Sequence, residues 1–61
     1  MKTYEQILDN IRWWYFYDRT LRLWTVFIVD ENDYQVGEAN YYNDKKQMLE
    51  QHKFNFKNVL V

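Results

Sequence analysis

From Leu21 to Val29 the chain reads Leu-Arg-Leu-Trp-Thr-Val-Phe-Ile-Val, and from Leu23 onward it is apolar on both alternating faces. A run so rich in β-branched and aromatic residues predicts a strand covered on both sides, the middle of a small sheet rather than its edge. The polar cluster Asp30-Glu31-Asn32-Asp33 predicts a turn, and Tyr34–Tyr42 a second strand returning as a hairpin. A four-residue loop pairs Val29 with Tyr34, Phe27 with Val36 and Thr25 with Glu38. That register sets Gly37 and Ala39 on the face of Trp24, Val26 and Ile28, where small residues leave room for a helix to lie close.

Helical periodicity dominates the flanks. Thr3 is a suitable N-cap, with Gln6 three residues later. Tyr4, Ile7, Leu8, Ile11, Trp14 and Tyr15 follow on one stripe, predicting a helix from about Thr3 to about Tyr15. Trp13-Trp14-Tyr15-Phe16-Tyr17 is also β-prone, and as a strand it would pair back on Leu21–Val29 through Asp18-Arg19-Thr20. The unbroken stripe favours the helix. Continued to Tyr17, that helix carries Trp13, Phe16 and Tyr17 opposite Ile7 and Ile11, a second apolar patch. Asp44, followed by Gln47, opens a second helix to about His52 with a thin stripe of Met48, Leu49 and His52. Phe54–Val61 predicts a third strand, laid by a right-handed crossover against the free edge of Leu21–Val29. The expected architecture is α+β: an αββαβ single domain over residues 1–61, with a three-stranded antiparallel sheet in the order 2-1-3.

Composition narrows what such a domain can be. Sixty-one residues lie near the lower limit for a chain that folds unaided. With no cysteine and one histidine, neither a disulfide nor a structural zinc site is expected to staple it. Three Trp, six Tyr and four Phe supply the bulk instead. Oligomerisation or a tight partner is the remaining remedy for a small core, so a homodimer through the aromatic patch or an exposed sheet edge enters the expectations. The net charge of −1 provides no global field for nucleic acid or an anionic membrane. Charges are segregated, however. Asp30, Glu31, Asp33, Glu38 and Asp44 are followed by Lys45, Lys46, Lys53 and Lys57 against Glu50. The start carries no secretory pattern and no apolar run approaches a membrane span, so the expected location is the cytoplasm. Phe, Tyr, Met, Ile, Asn and Lys supply 26 residues against five for Gly, Ala, Arg and Pro. These are the residues of A/T-rich and G/C-rich codons respectively, and the bias suits a phage or other mobile element.

Candidate chemistry is sparse. There is no Ser or Cys, and His52 has no partner suggested by spacing, so it is expected to cover the core from a helix end. Asp30-Glu31-Asn32-Asp33 resembles the start of a calcium-binding loop. Gln35 nevertheless stands where the required glycine would be, so no metal site is expected there. One glycine cannot make a phosphate-binding loop. No cofactor or enzymatic activity is expected. Trp, Tyr and Arg dominate interface energetics, and Trp13, Phe16, Tyr17, Arg19 and Arg22 concentrate them before the central strand. Asp30, Glu31 and Asp33 offer an acidic second patch for a basic partner surface. The function expected is therefore a small protein-binding modulator or inhibitor, acting on a host protein if phage-encoded. The alternative is single-stranded nucleic-acid binding through Arg12, Arg19, Arg22 and the adjoining aromatics.

Overall fold

The structure, a computed structural model, describes residues 2–60. It is mostly sheet: β1 (Tyr4–Leu8), β2 (Ile11–Asp18), β3 (Leu23–Val29), β4 (Gln35–Tyr42), α1 (Lys45–Gln51) and β5 (Asn58–Val59). The strands form one antiparallel sheet in the order β4-β3-β2-β1-β5. The expected αββαβ architecture with a three-stranded sheet in the order 2-1-3 is therefore incorrect.

The error begins at Asp9-Asn10. The predicted helix from Thr3 to Tyr15 is a β-hairpin, with Tyr4 paired to Tyr15 and Leu8 to Ile11. Asp9 and Asn10 take φ values of 53° and 65°. A two-residue type I′ turn requires positive φ at both central positions, and Asp and Asn tolerate it. Thr3 caps nothing helical, and Trp13-Trp14-Tyr15-Phe16-Tyr17 lies wholly within β2.

The strand predicted from Leu21 begins at Leu23 and is interior, as its two-sided apolar pattern requires. Its second neighbour is β2 rather than the C-terminal strand. The β3–β4 hairpin also forms, but Val29 pairs with Gln35, Ile28 with Val36 and Val26 with Asn40. The extra residues of β4 form a bulge containing Gly37, whose φ is +76°. No atom lies within 4 Å of the Cβ that an alanine there would carry. The glycine therefore serves backbone conformation, and the expected close helix approach over it is absent.

The second helix matches its prediction to within a residue at each end. The Asp44 carboxylate accepts from Gln47 N at 2.7 Å, and Gln47 Oε1 accepts from Asn43 N at 2.9 Å. The segment after it is not a strand over 54–61. Only Asn58 and Val59 pair, and they pair with β1, while Val61 lies outside the described residues.

Strand alternation gives the sheet two unlike faces. One carries Tyr4, Leu8, Trp13, Tyr15, Trp24, Val26 and Tyr42, and it is covered by Met48, Phe54 and Phe56. Tyr15, Val26 and Met48 are completely buried there. A seven-residue helix can cover little of a five-stranded sheet, so the aromatics of the C-terminal segment complete the layer. On this side Phe56 is ringed by Tyr4, Tyr15 and Trp24, with Lys45 Nζ 4.4 Å from its ring centre. No such layer lies on the other face.

Candidate functional site: the open sheet face

The register puts Glu5 beside Trp14, Ile7 beside Arg12, Trp14 beside Phe27, and Thr25 between Phe16 and Tyr41. Those residues, with Leu23, form a face on which no helix lies. Trp14 and Phe16 each meet Phe27 edge-on, with ring centres 6.2 Å apart. Together with Leu60 and Thr3 they line a groove of about 450 Å³ that runs toward Arg12 and Asp33. Ile7 and Tyr41, outside the groove, are exposed at 60% and 53%, so exposed apolar groups continue across the strands beyond it. A contiguous apolar patch of that breadth marks an interaction surface more often than an ordinary solvated one.

At one end of the groove stands an ion-pair network. Arg12 Nη2 lies 2.8 Å from both Glu5 Oε2 and Asp33 Oδ1. Arg12 Nε donates to Glu5 Oε2 at 3.3 Å, and Nη1 donates to the Asp30 carbonyl at 2.7 Å. Trp14 Nε1–H donates to the same Glu5 oxygen at 2.8 Å. The Trp14 hydrogen bond, followed by those from Arg12, holds the Glu5 carboxyl below the usual carboxylate range. Glu5 therefore remains ionised as an acceptor, which fits a positioning role and not that of a proton donor. Glu5 and Asp33 in turn raise the Arg12 value, keeping it charged. With most of its N–H groups engaged, Arg12 clamps the β3–β4 turn to β1 and has little capacity left for an incoming anion.

The sequence-predicted site residues are distributed over the molecule rather than gathered. Phe16 lies on the open face, whereas Trp13 packs against the core and Tyr17 meets Trp24 on the covered side. The patch of Trp13, Phe16 and Tyr17 on one helix side does not exist, because strand alternation separates its members. Arg19 and Arg22 occupy the exposed β2–β3 turn at one end of the strands. Asp30, Glu31 and Asp33 lie in the β3–β4 turn at the other, with Asp9 of the β1–β2 turn. At the Arg19 end, Lys2, Tyr4, Tyr17, Arg19 and Trp24 line a smaller hollow of about 140 Å³.

Trp14, Phe27 and Glu5 were not anticipated as site residues. Once Asp9-Asn10 is taken as a hairpin turn, the two-residue period of the strand it opens sets Trp14 on the face opposite Trp13 and Tyr15. Among the described residues, no group of three or more His, Cys, Asp or Glu is placed to hold a metal ion. No helix among them is long and apolar enough to cross a membrane. No protein-family model, curated protein or solved structure matches the chain.

Proposed function

We propose that this protein is a non-enzymatic binding module that modulates a partner protein by docking the open sheet face onto it. The observation that carries this reading is the groove walled by Trp14, Phe16, Phe27 and Leu60. Aromatic anchors at the centre of a polar-rimmed patch are the usual source of interface energy. The rim beside Arg12 is net negative, one guanidinium standing against two carboxylates. That balance suits a protein surface better than a polyanion.

The test is affinity capture from a bacterial lysate with wild type and with Trp14→Ala/Phe16→Ala. A partner retained by wild type should be recovered at least about tenfold less by the double variant, as loss of central anchors implies. Equal recovery of the same partner by both proteins would remove the open face as the interface.

A second reading, single-stranded nucleic-acid binding, draws support from the hollow in which Lys2 and Arg19 stand beside Tyr4, Tyr17 and Trp24. Among the described residues, neither cation has an ion-pair partner. Binding of single-stranded DNA or RNA with a steep salt dependence, lost in Arg19→Ala, supports this reading. No binding at low salt excludes it.

A further inference from the structure

Resting on the reading of the open face as a docking surface, we infer that its occupant is a second copy of this chain. The two copies form a sheet-on-sheet sandwich.

The first argument is the missing layer. A sheet with two apolar faces is stable only when both are covered. Here α1 and the C-terminal aromatics cover one, while Trp14, Phe16, Phe27 and Tyr41 remain on the other. Two such faces packed together would stand about 10 Å apart, with their side chains interdigitating as in any β-sandwich.

Area supplies the second argument. The molecule measures 28 × 22 × 22 Å. A broad face of those dimensions offers about 600 Å² in flat projection and more as accessible surface, against about 800 Å² per partner in a standard interface. That amount is roughly a sixth of the total accessible surface of 4703 Å². The open face is therefore large enough for a specific dimer and requires no additional segment.

The third argument is charge, and it sets the orientation. Arg19 and Arg22 lie at one end of the strands, and Asp30, Glu31 and Asp33 at the other. A two-fold axis lying in the interface and running across the strands places each acidic turn over the partner's basic turn. The surface is then self-complementary, as an isologous contact demands. An axis along the strands would instead set like charges together.

Sedimentation of the purified protein tests this, from about 1 μM to about 500 μM, which brackets micromolar dissociation constants. Wild type should be dimeric in the upper part of that range, and Phe27→Glu should be monomeric throughout. Tyr41→Glu, at an exposed position of the same face, serves if Phe27→Glu does not fold. Arg19→Glu/Arg22→Glu should weaken the dimer about tenfold or more. Monomeric wild type at the highest concentration overturns the proposal, and so does a dimer unaffected by Phe27→Glu or Tyr41→Glu. Either result leaves docking of a different protein to be decided by the capture experiment.

Discussion

Tyr15 lies flat on Phe54, with ring centres 4.0 Å apart and planes only 4° from parallel. The pair joins the central strand to the C-terminal segment. At its edge, the Tyr15 hydroxyl donates to Gln6 Oε1 and accepts from Phe56 N–H, both at 3.1 Å. Gln6 Oε1 also accepts from Asn55 N at 2.7 Å, and Gln6 Nε2 donates to the Lys53 carbonyl. A short C-terminal stretch with almost no strand pairing is thus held through one hydroxyl and one amide. The same burial pushes the Tyr15 phenol up from its ordinary value, so it stays protonated and able to donate.

Tyr15→Phe keeps the stacking and removes those two hydrogen bonds, leaving the Phe56 N–H unpaired. The expected cost is about 1–2 kcal/mol, from the desolvation of groups that lose their partners. Thermal denaturation should show a fall of about 4–8 °C per kcal/mol for a domain of this size. Hydrogen exchange should accelerate first at Phe56, whose amide loses its acceptor directly, and next at Asn55, whose acceptor Gln6 Oε1 loses the hydroxyl that positions it. An unchanged melting temperature would show that the hydroxyl contributes nothing to stability.

Thr25 presents the opposite case. It is buried in the cross-strand row between Phe16 and Tyr41, and its Oγ1 has no hydrogen-bond partner. Thr25→Val removes an unpaired hydroxyl and retains β-branching, so it should stabilise the protein by about 1 kcal/mol. Chemical denaturation would reveal this as a higher midpoint with unchanged slope. A lower midpoint would mean that the hydroxyl is satisfied in solution.

What was legible in the sequence follows from which residues serve one purpose. Leu23–Val29 must be a covered interior strand whatever pairs with it, and Asp44 with Gln47 opens a helix by local chemistry alone. Residues 4–15 misled because β1 and β2 carry apolar side chains toward both faces, which removes the alternation that identifies a strand. With that signal lost, Tyr4, Ile7, Leu8, Ile11, Trp14 and Tyr15 satisfied a helical stripe by coincidence. Only the Asp9-Asn10 turn opposed it. At the C-terminus, Phe54 and Phe56 alternate as a strand would, yet they act as core plugs. Phe56 even adopts φ 59°, outside any strand conformation. For the site, aromatic content indicated an interaction surface, but its members could not be sorted onto faces before the register was known. Phe16 lies on the open face, though by strand alternation and not as part of a helix-side patch, and Trp14 and Phe27 are not among the residues singled out from the sequence.

Gly37 should tolerate substitution poorly despite its open surroundings. A side chain at φ +76° meets no neighbour, so the whole cost is backbone strain, about 1–2 kcal/mol for alanine. Gly37→Asn should cost less, because Asn visits this region more readily. Equal stability of Gly37→Ala and wild type, measured by denaturant unfolding, would contradict the bulge conformation.

His52 should give stability a pH dependence near neutrality. Its ring stacks on Phe54 with centres 4.8 Å apart, lies beside Trp13, and meets the Tyr42 hydroxyl at 2.9 Å. Burial lowers its pKa below the ordinary 6.5, so the folded state prefers the neutral imidazole. As pH falls through 6.5 the unfolded chain takes up the proton first. Stability therefore declines with acidification until the folded-state value is passed, and levels off below it. Glu5 acts with the same sign, losing stability on acidification, but in a more acidic window. Its contribution is fully present above 4.5 and is lost only as pH falls through its lowered folded-state value. Between about pH 7 and about pH 5 the two do not overlap, so the slope there belongs to His52. His52→Gln removes the titrating group, and its unfolding free energy should be flatter than that of wild type across this window. Parallel profiles for the two proteins would show that the imidazole titrates alike in the folded and unfolded states.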